Sequence, residues 1–95
     1  MRKYELVCLI QPDLDETAFN GVLDRVKTWV AESGGSVDKV DVWGKRRLAY
    51  AIRKQRESQY VLFNLSLETK SAAGLEQNLR YTEPVMRHML TLVTE

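Results

Sequence analysis

The spacing of apolar residues changes repeatedly along the chain, and each change marks an element. Tyr4 to Ile10 is an apolar run interrupted only by Glu5 and closed by Pro12, which predicts a buried strand. Asp13 and Glu16 have the spacing of a capping box, with Asp15 as the alternative cap. Phe19, Val22, Leu23, Val26, Trp29 and Val30 then recur at three- and four-residue intervals. They form one helix face, with Asp24, Arg25, Lys27, Thr28 and Glu32 pointing away. Ser33-Gly34-Gly35 stops the helix, because glycine enters the left-handed cap conformation without strain.

A long extended segment, Val37 to Lys54, follows, with Gly44 marking a bulge or bend inside it. The polar Lys54-Gln55-Arg56-Glu57-Ser58 predicts a hairpin connection, and Gln59 to Leu67 a returning strand. Val61, Phe63, Leu65 and Leu67 share one face of that strand, while Tyr60, Leu62, Asn64 and Ser66 share the other. Ser71 is placed to cap a short second helix that turns Ala72, Leu75 and Leu79 inward. Gly74 costs that helix about 1 kcal/mol relative to alanine, so packing must sustain it. Thr82-Glu83-Pro84 ends it, and Val85 to Val93 predicts a fourth strand.

The order β-α-β-β-α-β has one economical solution. Two right-handed crossovers joined by a hairpin interleave into a four-stranded antiparallel sheet with both helices on one face. The expected class is therefore α+β, a ferredoxin-like sandwich, formed as a single domain over residues 1–95. The covered face should take Leu6, Cys8, Ile10, Val61, Phe63, Leu65, His88 and Leu90. The open face should take Val7, Leu9, Tyr60, Leu62, Arg87, Met89 and Val93, too much apolar surface to leave wet on a small monomer.

Charge sharpens the picture. The formal net charge is only +1, yet from Val42 to Arg56 there is no acid, while Lys45, Arg46, Arg47, Arg53, Lys54 and Arg56 all fall there. Such concentration on one element is the footprint of contact with a polyanion, against the plainer reading of a solvated strand edge guarded by charge. Trp43, Gly44 and Tyr50 are expected to shape or pack that element. Arg25, Lys27, Lys39 and Lys70 read as solvated helix or loop charges. The single cysteine, Cys8, lies in an apolar run and reads as a core residue of a reducing compartment. No N-terminal apolar stretch approaches the roughly 18 residues of a membrane span. The expectation is a soluble cytoplasmic protein without membrane contact.

Catalysis has little to work with. One cysteine and one histidine, distant in sequence, do not make a zinc site. Cys8 and His88 could meet across neighbouring strands, but no nucleophile motif surrounds either. Asp13, Asp15 and Glu16 are explained by helix capping and dipole compensation. Gly34-Gly35 lacks the spacing and lysine of a phosphate loop. No enzyme activity, metal, cofactor or small-molecule substrate is expected. The RNA-recognition motif shares the element order, but Tyr60-Val61-Leu62-Phe63-Asn64-Leu65 lacks its basic-glycine-aromatic signature. Base stacking on the sheet is thus not expected, whereas protein docking is.

Three stretches then carry a resemblance: Met1-Arg2-Lys3-Tyr4-Glu5, Asp41 to Tyr50 with its Gly44-Lys45-Arg46-Arg47-Leu48-Ala49-Tyr50, and Arg80 to His88. Along its length the chain resembles the bacterial small-subunit ribosomal protein six family. It departs at Ala51, where the family commonly has proline, and the long charged tail of some members is absent. The resemblance implies a structural component of the small ribosomal subunit that binds the central domain of its RNA together with small-subunit protein eighteen. The expected RNA-binding residues are Arg2, Lys3, Lys45, Arg46, Arg47, Arg53, Lys54 and Arg87. Val7, Leu9, Tyr60, Leu62, Met89 and Val93 are expected to meet the protein partner. The alternative function is a small-ligand regulatory domain that homodimerises through its open sheet face.

Overall fold

A computed structural model describes residues 1–93. Its elements are β1 (Arg2–Ile10), α1 (Glu16–Glu32), β2 (Ser36–Ile52), β3 (Gln55–Leu67), α2 (Ala72–Arg80) and β4 (Val85–Leu92). The strands form one antiparallel sheet in the order β2-β3-β1-β4, as the element order requires. Leu6, Cys8 and Ile10 are fully buried beside Val61, Phe63, Leu65 and Leu67. Phe19, Val22, Leu23, Val26 and Val30 of α1, with Leu75 and Leu79 of α2, close the core over them. Leu90 packs against this core opposite Leu6, and His88 lies half-buried opposite Cys8.

Local choices differ from expectation in three places. Asp15, not Asp13, caps α1, its carboxylate accepting from the Ala18 N–H at 2.7 Å. Ser71 makes no side-chain cap; it lies in a 3-10 turn, Thr69–Ser71, that leads directly into α2. The hairpin between β2 and β3 turns on Arg53 and Lys54 alone, because Ile52 still pairs with Gln55. Both turn residues have positive φ, 50° and 65°, the signature of a type I′ connection.

β2 departs from regular pairing three times. Its register shifts between Val37 and Lys39, between Val42 and Gly44, and between Arg47 and Ile52. Gly44 has φ 82°, so the expected bulge is present and Trp43 is its extra residue. Trp43 stacks on Tyr60 of β3, with ring centroids 6.2 Å apart and planes 10° from parallel. Gly35, entering β2, has a different need: a Cβ there would collide with the Ser66 carbonyl oxygen and the Leu67 side chain.

Candidate nucleic-acid and partner interface

The last register break builds the site. Residues 48–51 are in excess on β2, with only Arg56 facing them on β3 between the Arg47–Glu57 and Ile52–Gln55 pairs. The surplus chain leans across the open face of the sheet as an arm. Leu48, Ala49, Tyr50 and Ile52 of this arm line one cavity of about 210 Å³ with Leu9, Tyr60, Arg87 and Met89. The arm reaches the far edge strand, where the Arg87 guanidinium donates to the Tyr50 hydroxyl at 2.8 Å. At its tip Arg53 donates to the carbonyl oxygens of Glu83 at 2.6 Å and Val85 at 3.4 Å. Sequence patterning missed this crossing, although the alternation of Leu48, Tyr50 and Ile52 was its trace.

The arm divides the open face. Across β3, β1 and β4, Leu62, Val7 and Met89 form one row, and Tyr60, Leu9 and Arg87 the next. Leu9 retains only 5% of its surface and belongs beneath the arm, which corrects its expected place on the partner surface. Val7, Tyr60 and Leu62 are half-buried, while Met89 and Val93 are exposed.

The expected RNA-binding cations fall into two groups. Lys45, Arg46 and Arg47 pair with Gln59, Ser58 and Glu57, and Gln59 pairs with Ile10. Arg53, Lys54 and Arg87 lie at this same end of the sheet, so six of the expected residues gather there. Arg2 and Lys3 start β1, opposite Leu67 and Ser66. The Lys3 and Leu9 rows are six residue steps apart along β1, roughly 20 Å, so the structure does not join these two to the cluster. Lys3 is also engaged. Its ammonium lies 3.2 Å from Asp38, which accepts from Ser66 at 2.6 Å and from Ser36 at 2.9 Å. The hydroxyls of Ser66 and Ser36, then Lys3, hold the Asp38 carboxyl below its usual range.

No close ion pair forms at the clustered end among the described residues, although Glu57 stands opposite Arg47 on β3. Among the described residues the carboxylate ion pairs are Lys3–Asp38 and Lys39–Asp41, neither of which touches the cluster. Cys8 does face His88 across β1 and β4, but burial pushes its thiol up to about 12, leaving no thiolate near neutrality. No group of three metal-ligating side chains occurs among the described residues, and no helix there is long and apolar enough to cross a membrane.

The arrangement is that of an α+β sandwich that offers a charged and apolar surface. Residues 3–91 match the family described as Ribosomal protein S6, and the chain belongs to that family. It is 42% identical over 90 residues to small ribosomal subunit protein bS6 of Clostridium botulinum strain Loch Maree, covering 95% of this chain and 96% of the relative. The bS6 of Carboxydothermus hydrogenoformans is 38% identical over 90 residues, with coverages of 95% and 94%. Among solved structures, 30S ribosomal protein S6 of Thermotoga maritima superposes with TM-score 0.91 at 29% identity, covering 97% of this chain and 87% of that one. A cofactor-independent oxygenase from Streptomyces nogalater, at TM-score 0.52 and 12% identity, shares the fold alone. The chain is thus a structural protein of the small ribosomal subunit and not an enzyme.

Proposed function

We propose that the chain binds the central domain of the small-subunit ribosomal RNA, in the cytoplasm, alongside small-subunit protein eighteen. The observation that carries this reading is the cluster of cations at one end of the sheet, without close ion pairs among the described residues, beside the apolar row of Leu62, Val7 and Met89. Lys45, Arg46, Arg47 and Lys54 are exposed and supply the phosphate contacts, while Arg53 and Arg87 brace the arm and approach RNA from the β4 edge. Arg2 and Lys3 act as a separate contact at the opposite end. Phosphate contact of this kind positions the protein without reading bases. Val7, Tyr60, Leu62, Met89 and Val93 remain for the protein partner.

Co-sedimentation with small-subunit RNA across a salt series, with protein eighteen present, tests the reading. Replacing Arg46 and Arg47 by alanine should weaken binding and flatten its salt slope by about 0.7–0.9 per lost contact. A wild-type chain that ignores RNA and forms a homodimer insensitive to salt would support the regulatory-domain alternative instead.

A further inference from the structure

We infer that the pocket between β4 and the end of α2 is an oxyanion site for one phosphate group, filled in the RNA complex by a backbone phosphodiester. The inference rests on the RNA-binding reading but adds a place and residues outside the basic stretch of β2. The pocket, about 250 Å³, is lined by Arg53, Leu79, Arg80, Val85, Met86, Arg87 and His88. Three arginines and one histidine therefore line a single cavity, and no carboxylate-bearing residue does.

Two of the guanidinium groups are fixed in advance. Arg53 donates to the Glu83 and Val85 carbonyls beside the pocket, whereas the Arg87 guanidinium is held by the Tyr50 hydroxyl on the open face, across the β4 edge. These acceptors are neutral, so the bonds orient the groups without cancelling their charge. Each guanidinium has five N–H donors in a planar fork, which leaves donors for a ligand. Arg80 occupies the last turn of α2 and is exposed, with no ion pair among the described residues. Leu79, Val85 and Met86, all buried, complete the lining with apolar surface. Guanidinium forks around a small cavity match the tetrahedral oxygens of phosphate, which they can bind bidentately.

Arg80→Ala provides the test, because Arg80 lies outside β2 and its exposed side chain can be removed without opening the core. In the first arm, inorganic phosphate is titrated into isotope-labelled wild-type protein while the His88 ring and arginine side-chain N–H signals are followed. Saturable shifts that weaken at least fivefold in Arg80→Ala support the site; shifts absent or equal in both proteins overturn it. In the second arm, binding to small-subunit RNA with protein eighteen is measured against salt for wild type, Arg80→Ala and the Arg46→Ala/Arg47→Ala double variant. A slope reduced by about 0.7–0.9 in Arg80→Ala places a backbone phosphate in the pocket. If only the double variant changes the slope, the RNA occupant is overturned while RNA binding through the basic stretch of β2 stands. If wild type does not bind RNA at all, the wider reading fails, and the phosphate titration alone decides whether the pocket takes free phosphate.

Discussion

The hydroxyl of Tyr50 accepts from the guanidinium of Arg87 at 2.8 Å, joining β2 to β4 although β3 and β1 lie between them. With the Arg53 contacts, this bond holds the arm across the sheet. Tyr50→Phe combined with Arg53→Ala should release it. Each bond is exposed or partly so, and its loss should cost about 1 kcal/mol or less. The expected result is amide exchange roughly fivefold or more faster over residues 48–56, with little change in the core strands. Unchanged exchange in the arm would show that apolar contact over Leu9 suffices.

Gly44 and Gly35 should fail differently. At Gly44 a Cβ meets nothing within 4 Å, so Gly44→Ala carries only the conformational cost of φ 82°, roughly 1 kcal/mol or slightly more. At Gly35 the added carbon strikes the backbone of β3, and the strands must separate, at a cost of about 1–3 kcal/mol. Denaturant midpoints should fall in that order, and the reverse order would contradict the assigned causes.

Asp38 should make stability depend on acid. Its carboxyl is held below its ordinary value by Ser66, Ser36 and Lys3, so the folded state favours the charged form. That contribution is complete above the unfolded value of about 3.9 and is lost as pH falls through the lower folded value. The difference in denaturant midpoint between wild type and Asp38→Asn should be constant from neutrality to about pH 5 and should close below roughly pH 4. A difference that persists unchanged into strong acid would assign the substitution's effect to something other than charge.

Leu62 is the test of the partner surface. It is half-buried in the row with Val7 and Met89, and it faces Asp41 across β3 and β2. Leu62→Glu should abolish association with small-subunit protein eighteen, a loss of a few kcal/mol if Leu62 is a central anchor. The new carboxylate also opposes Asp41, so a small loss of fold stability is expected with it. Leu62→Lys avoids that repulsion and should abolish association equally. Normal binding by both folded variants would move the interface elsewhere.

The parts of this structure that were readable in advance are those in which a side chain reports its own surroundings. Leu6, Cys8 and Ile10 alternate against Val61, Phe63 and Leu65 because one face of each strand is dry. Asp13 and Asp15 are both of a capping residue type, and Asp15 is the one whose carboxylate meets the Ala18 N–H. The hairpin tip was misplaced because Arg53 and Lys54 lack the glycine or asparagine that usually marks such a turn. The arm was hidden for a deeper reason. It depends on surplus residues in a pairing register, and its tip is fastened to the Glu83 and Val85 backbone carbonyls, which every residue type supplies alike.

That tip has a consequence for anyone who would redesign the protein. A type I′ turn holds Arg53 and Lys54 in a left-handed conformation that disfavours side-chain-bearing residues by roughly 1–2 kcal/mol each. Asn-Gly at these positions would suit the turn better, and a stability screen would select it. The same exchange would delete the Arg53 fork that moors the arm to β4 and lines the pocket with Arg80. A more thermostable variant could therefore be a worse assembly component, its hairpin well made but pointing nowhere in particular.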